Sequence, residues 1–172
     1  MSDPAIVPGR GCNGCTMCCK LLKIAVLNKP PLVWCEHCDV GVGCKIYEAR
    51  PQVCREFICE YLRNPNLGEE WRPDQCKMVV LNDSRNKAVV VQVDSSRPNA
   101  WRMAPFYEHI KKVAERALAN NWYLVVWEGA EAVVVLPDRD VRLGKVEGGS
   151  IVVSTLEAED GSVRYEAKFV PA

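Results

Sequence analysis

The sequence predicts an α+β protein in two parts: a small metal-stabilised, cysteine-rich module over residues 1–78 and a mixed α/β layer over 79–172. The second part is expected to run strand, helix, then four mainly antiparallel strands. Three observations predict this. All ten cysteines lie between Cys12 and Cys76, and the last 96 residues have none. The early part is short of β-branched runs and broken by Gly and Pro, as in a module too small for a large apolar core that needs another staple. The later part is rich in Val and carries both periods of regular structure.

The elements follow in order. Leu22, Ile24 and Val26 alternate with Lys23 and Ala25, which predicts a short strand ended by Asn28-Lys29-Pro30-Pro31. Three cysteines among glycines follow in WCEHCDVGVGCKIY. RPQVCREFICEYLR reads as one helix with Pro51 at its first position, where a missing N–H costs nothing. On a helical wheel Val53, Cys54, Phe57, Ile58, Tyr61 and Leu62 fill one face, so Cys54 points inward. Cys59 falls on the opposite, charged face, and joins Cys54 only if the helix frays or another segment covers it.

Beyond residue 78, Val89–Val93 reads as a strand, and PFYEHIKKVAERALANN as a helix with Pro105 near its start. Phe106, Ile110, Val113, Ala114 and Ala117 form its apolar stripe. Trp122–Glu128 and Glu131–Leu136 predict a hairpin around Gly129-Ala130. Ile151–Leu156 and Val163–Val170 predict a second, closed by Glu159-Asp160-Gly161.

Charge limits the partners. Lys and Arg together number 22, as do Asp and Glu, and residues 1–76 hold nine of each sign. No overall field draws the chain to nucleic acid or an anionic membrane, so neither is expected as a partner. The first ten residues lack an apolar stretch of signal-peptide length, and the longest apolar runs are far short of a membrane span. The expected location is the cytoplasm, where a reducing environment disfavours disulfides and turns cysteine toward metal binding or catalysis.

The chemistry is concentrated in GCNGCTMCCK, residues 11–20. A C-x2-C turn brings two sulfurs together and exposes backbone N–H groups to them, so a thiolate pair binds one ion readily. Cys12, Cys15 and Cys18 have that spacing twice over, and the same triple spacing also binds iron–sulfur clusters. Adjacent Cys18 and Cys19 diverge in a regular backbone, which suggests that two metal environments meet there. Ten thiols fill two four-sulfur sites with two to spare, favouring two metals or one polynuclear centre. Lys20, Lys23, Arg50 and Arg55 are near enough in sequence to offset the surplus negative charge. Spacing alone does not separate zinc from iron.

The double motif resembles a known family. C-x2-C-x2-C-C at Cys12, Cys15, Cys18 and Cys19 is followed by Gly43-Cys44-Lys45-Ile46-Tyr47, then Arg50-Pro51, Cys54-Arg55, Phe57 and Cys59. This is similar to the YkgJ-like CxxCxxCC cysteine-cluster family, described as zinc- or iron-chelating, over about residues 10–62. Either Cys35 or Cys38 matches one further family cysteine. The resemblance implies metal binding rather than a reaction. Some larger relatives resemble flagellin lysine methylases, but this chain is short and lacks a Gly-rich loop for S-adenosylmethionine.

The expected metal ligands are therefore Cys12, Cys15, Cys18, Cys19, Cys35, Cys38, Cys44, Cys54 and Cys59. Cys76 is isolated and lies beyond the motif, so it suits a core or surface thiol as well as a ligand; His37 could complete a site of three cysteines and one histidine but better suits an outer-shell or exposed role. The expected function is metal binding by zinc or an iron–sulfur centre. The alternative is a metal-dependent redox or group-transfer enzyme with an open coordination position. Metal removal is expected to unfold residues 10–76.

Overall fold

A computed structural model describes residues 6–157 and 163–172. The chain is α+β and divides into two compact units, residues 1–81 with 92–101 and residues 82–91 with 102–172.

The first unit is built of short pieces. Helix α1 spans Met17–Leu21. Residues 22–26, expected as a strand, instead form a tight turn: Ala25–Leu27 is a single 3-10 turn, closed by Asn28 at φ 49° and by a lone bridge between Ile24 and Lys29. Five alternating residues are too few to distinguish these outcomes, and Asn tolerates the left-handed conformation the turn needs.

Strands β1 (Cys38–Asp39) and β2 (Gly43–Cys44) pair antiparallel, with Cys38 opposite Cys44. The single helix expected from Pro51 is two helices, α2 (Gln52–Glu56) and α3 (Glu60–Arg63). Pro51 caps α2 instead of opening it. Phe57 and Cys59 are extended, which turns the chain between the helices.

Helix α4 (Pro73–Cys76) ends at Lys77 in the left-handed conformation. Met17, Leu21, Tyr61, Leu62, Leu67 and Trp71 are buried. The unit thus holds more apolar material than its composition suggests.

Strands β3 (Met78–Asp83) and β4 (Ala88–Val93) each run from one unit into the other, and β3 was not expected. Helix α5 (Phe106–Ala119) buries Ile110, Ala114 and Ala117 of its apolar stripe. Strands β5 (Tyr123–Glu128) and β6 (Glu131–Val135) make the predicted hairpin, with Glu128 opposite Glu131. Strand β7 (Asp140–Lys145), also unexpected, pairs antiparallel with β6 through an irregularity at Ala132/Val133. The mixed five-stranded sheet has the order β3-β4-β5-β6-β7.

Strands β8 (Gly149–Glu157) and β9 (Val163–Pro171) form a separate antiparallel ribbon. The turn expected at Glu159-Asp160-Gly161 lies outside the described residues. Ile151, Val153, Tyr165 and Ala167 pack against the core around Val125, Val134 and Leu136. The expected strand, helix and four strands are therefore two strands, a helix and five strands.

Candidate functional site

The ten cysteines are free thiols and fall into two neighbourhoods within the first unit. The first is organised by the loop 35–44. Its Cys35 N–H donates to the Cys19 carbonyl (3.0 Å), and its Gly41 N–H donates to Thr16 Oγ1 (3.2 Å), just before α1. Gly14 sits at φ 82°, and a Cβ there would stand 2.7 Å from the Gly41 carbonyl oxygen, so glycine is what permits this approach.

The thiol of Cys19 is a hydrogen-bonding neighbour of those of Cys18 and Cys38. Cys54 lies within electrostatic reach of Cys19, Cys35 and Cys44. Cys18, Cys19, Cys35, Cys38, Cys44 and Cys54 thus form one group. Cys18 and Cys19 share it, so the division of the opening motif falls between Cys15 and Cys18, at the start of α1.

One cation is held inside this group. Lys29 is only 6% exposed, and its Nζ donates to the carbonyls of Lys20 (2.7 Å) and Leu22. Burial pushes the Lys29 ammonium down, while Cys19, Cys35, Cys18 and Cys38 act in the opposite sense. The thiols respond in kind. The hydrogen bond from Cys18, then burial, drives Cys19 far above its ordinary value, and burial with the charge of Cys19 pushes Cys38 up to about 11.

The second neighbourhood contains Cys12, Cys15, Cys59 and Cys76. Cys15 and Cys59 both interact with Cys12, Cys59 interacts with Cys15, and Cys76 interacts with both Cys15 and Cys59. Cys59 is 8% exposed and Cys76 5%. The wheel that put Cys59 on a solvated face fails because the helix stops. Cys59 becomes the residue before α3, where its carbonyl oxygen accepts the Leu62 N–H at 3.0 Å and its side chain is buried.

Burial pushes Cys59 up to about 11 and Cys76 up to about 12. Cys12 also feels Cys19, so the two groups are neighbours.

The expected charge partners redistribute. Lys20 binds Asp94 through both carboxylate oxygens, at 2.8 and 2.9 Å. Arg55 caps the carbonyls of Arg50 (2.9 Å) and Glu48, and Lys23 is exposed. Arg50 does act on thiols: burial pushes Cys12 and Cys54 up and the Arg50 charge opposes it, its guanidinium lies 3.8 Å from the Tyr47 ring centroid, and its buried Nε has no hydrogen-bond partner. His37 Nε2 lies 3.4 Å from Glu36 Oε1.

No family model, curated protein or solved structure matches this chain. The resemblance therefore rests on the quoted cysteine motif alone. Among the described residues no three His, Cys, Asp or Glu side chains are grouped as a metal site. No helix among them is long and apolar enough to cross a membrane.

The donor set nevertheless suits a thiophilic metal in two respects. Its thiols act electrostatically on one another from segments far apart in sequence. Arg50 presents a buried donor, lacking an acceptor, in the electrostatic surroundings of Cys12 and Cys54. Lys29, Arg10 and Arg72 were missed from sequence because no local pattern signals a cation that acts across a fold. Cys76 was singled out, but only its tertiary neighbours give it a partner set.

Proposed function

We propose that the chain is a metal-binding protein that holds zinc or an iron–sulfur centre through Cys12, Cys15, Cys18, Cys19, Cys35, Cys38, Cys44, Cys54 and Cys59. It is a member, on the residues of its double motif, of the YkgJ-like cysteine-cluster group. The observation that carries the reading is that the thiols act electrostatically on one another in two sets, each with its own cations: Lys29 acting with one and Arg72 with the other, with Arg50 acting on both. Thiolates bound to a metal carry net negative charge, and buried cations lower the cost of holding it. The metal would stabilise the cysteine-rich segments and, in a closed four-sulfur site, do no chemistry itself.

The test is anaerobic purification of the full chain followed by metal analysis and a visible spectrum. Stoichiometric zinc in a colourless sample, or iron with broad visible absorption, supports the proposal. A folded, metal-free protein with all ten thiols titratable, which takes up neither zinc nor iron, refutes it.

A second reading, a metal-dependent redox or group-transfer enzyme, draws on one feature. An open cleft of about 440 Å³ is lined by Thr16, Met17, Lys20, Trp34 and Asp94, beside the helix that carries Cys18 and Cys19. An exchangeable water or a three-ligand metal favours this reading, and saturation by four cysteines favours the first.

A further inference from the structure

The geometry points to Cys76 as the fourth thiolate of a closed metal site formed with Cys12, Cys15 and Cys59, distinct from the six-cysteine group around Lys29. This rests on the metal-binding reading above and extends it to a cysteine outside the family motif.

Three chain segments meet at these four residues, and two arginines tie them together. Arg10 donates through Nη1 to the carbonyls of Tyr61 and Asn64 (2.9 Å to the latter), and through Nη2 to Leu67. It thereby fixes the segment preceding Cys12 against the one that follows Cys59. The Val7 N–H adds a bond to the Leu62 carbonyl at 2.8 Å. Arg72 donates through Nη2 to the carbonyls of Cys12 (3.3 Å) and Asn13 (2.8 Å), while its own carbonyl accepts the N–H of Cys76 (3.0 Å). One residue thus links the Cys12 turn to helix α4. The loop and helix also meet at a ligand, because Asp74 lies within electrostatic reach of the Cys15 thiol.

The surroundings suit a four-thiolate site. The backbone N–H groups around Cys15, Cys59 and Cys76 oppose the burial that pushes all three thiols up. Such donors stabilise a bound thiolate. As a thiol, Cys76 lies 3.4 Å from the carbonyl oxygens of Trp71 and Met78. A divalent ion with four thiolates releases four protons and keeps two negative charges. Arg50 and Arg72, the two cations that act on Cys12, match that number. The four side chains are not gathered as a metal site among the described residues, so closure requires their sulfurs to converge on the backbone that the Arg72 bonds hold.

The test loads the full, reduced chain with 113Cd2+ and correlates each cadmium resonance with cysteine Hβ protons. The expected result is one resonance coupled to Cys12, Cys15, Cys59 and Cys76 together. A resonance coupled to Cys12, Cys15 and Cys59 but not to Cys76 overturns the inference, as does cadmium confined to the other six cysteines. Failure to retain any cadmium after desalting overturns the metal-binding reading itself. C76S supplies a second measurement: it should lose one metal equivalent and that resonance while keeping the rest of the spectrum. Retention of every equivalent by C76S overturns the inference.

Discussion

Substituting Lys29 by Met separates the two roles this side chain can have, as a structural donor and as a counter-charge for thiolates. The stem length is kept, while the ammonium and its two hydrogen bonds to the Lys20 and Leu22 carbonyls are lost. In the metal-free protein these changes oppose one another. Leaving two carbonyls unpaired costs about 1–3 kcal/mol each, and removing a buried ammonium relieves a desolvation penalty of several kcal/mol. The net change in stability should stay within about 2 kcal/mol of zero.

In the metal-loaded protein nothing offsets the loss. Four of the six neighbouring thiols, Cys18, Cys19, Cys35 and Cys38, feel this one charge. Groups in such a supporting position typically change metal affinity by about 10- to 100-fold, or about 1.4–2.8 kcal/mol. The assay is zinc competition against a chromophoric chelator at fixed pH, paired with urea unfolding of the metal-free form. K29R, which keeps the charge, should recover most of the affinity. Zinc affinity of K29M within two-fold of the unsubstituted protein would refute the reasoning.

Other outcomes follow from the same geometry. G14A combines a left-handed backbone with a Cβ driven against the Gly41 carbonyl, and should destabilise the first unit by about 2 kcal/mol or more in urea titrations followed by tryptophan fluorescence. Chelation should expose residues 10–19 and 35–59 to protease while the segment bearing Trp71 stays protected, because Leu62, Leu67 and Trp71 are buried in apolar contact area that owes nothing to metal. Burial holds Cys38, Cys59 and Cys76 protonated up to about 11, 11 and 12. Their contribution to metal-free stability is therefore fully present below the unfolded thiol value near 9 and lost as pH rises through those values; metal-loaded protein, whose thiolates must be reprotonated, should lose stability as pH falls instead. For Asp94, burial acts upward, but bonds from Lys20 and the Ser96 N–H, with the Lys20 charge, outweigh it and hold the carboxyl below its usual range. Its stabilisation is present above the unfolded carboxylate value and lost as pH falls through the folded one, so D94N should cost about 3 kcal/mol near neutral pH and flatten the acid limb of the stability profile.

The regular parts of the second unit were legible because their pattern is local. Helix α5 and the β5–β6 hairpin each repeat one period over enough residues to exclude the other. Strand β7 was not, since it carries Gly144 at φ 73° and pairs through an irregularity, both of which read as loop in a sequence. Strand β3 was hidden by its short apolar run, Met78–Leu81, directly after Cys76 and Lys77. In the first unit the period failed outright: residues 51–63 have a helical repeat, yet Val53 is 51% exposed while Cys59 is buried. The break at Phe57–Cys59, where the backbone turns extended between two short helices, decides this, and no wheel contains it.

The cysteine site shows why spacing identifies ligands better than it partitions them. C-x2-C-x2-C-C reads as one continuous device, and its vicinal pair invites a boundary between Cys18 and Cys19. The chain instead enters α1 at Met17, so Cys12 and Cys15 stay in a turn tied to α4 by Arg72, while Cys18 and Cys19 are carried toward the 35–44 loop. Charge partners follow the same logic. Lys20 and Arg55 are close in sequence but already bind a carboxylate and carbonyls, whereas Lys29 reaches the thiols because a tight turn folds it back over α1. The resulting balance is uneven. Six thiols share Lys29 and part of Arg50, and the Cys19 thiol is driven far toward its neutral form. A single zinc there would leave two thiols without a metal bond, while a polynuclear centre spreads the charge of six thiolates over several cations. Metal counting in C76S, which should leave this larger group alone, therefore reads its nuclearity directly: one equivalent means a mononuclear site with two spare thiols, and more than one means a shared cluster.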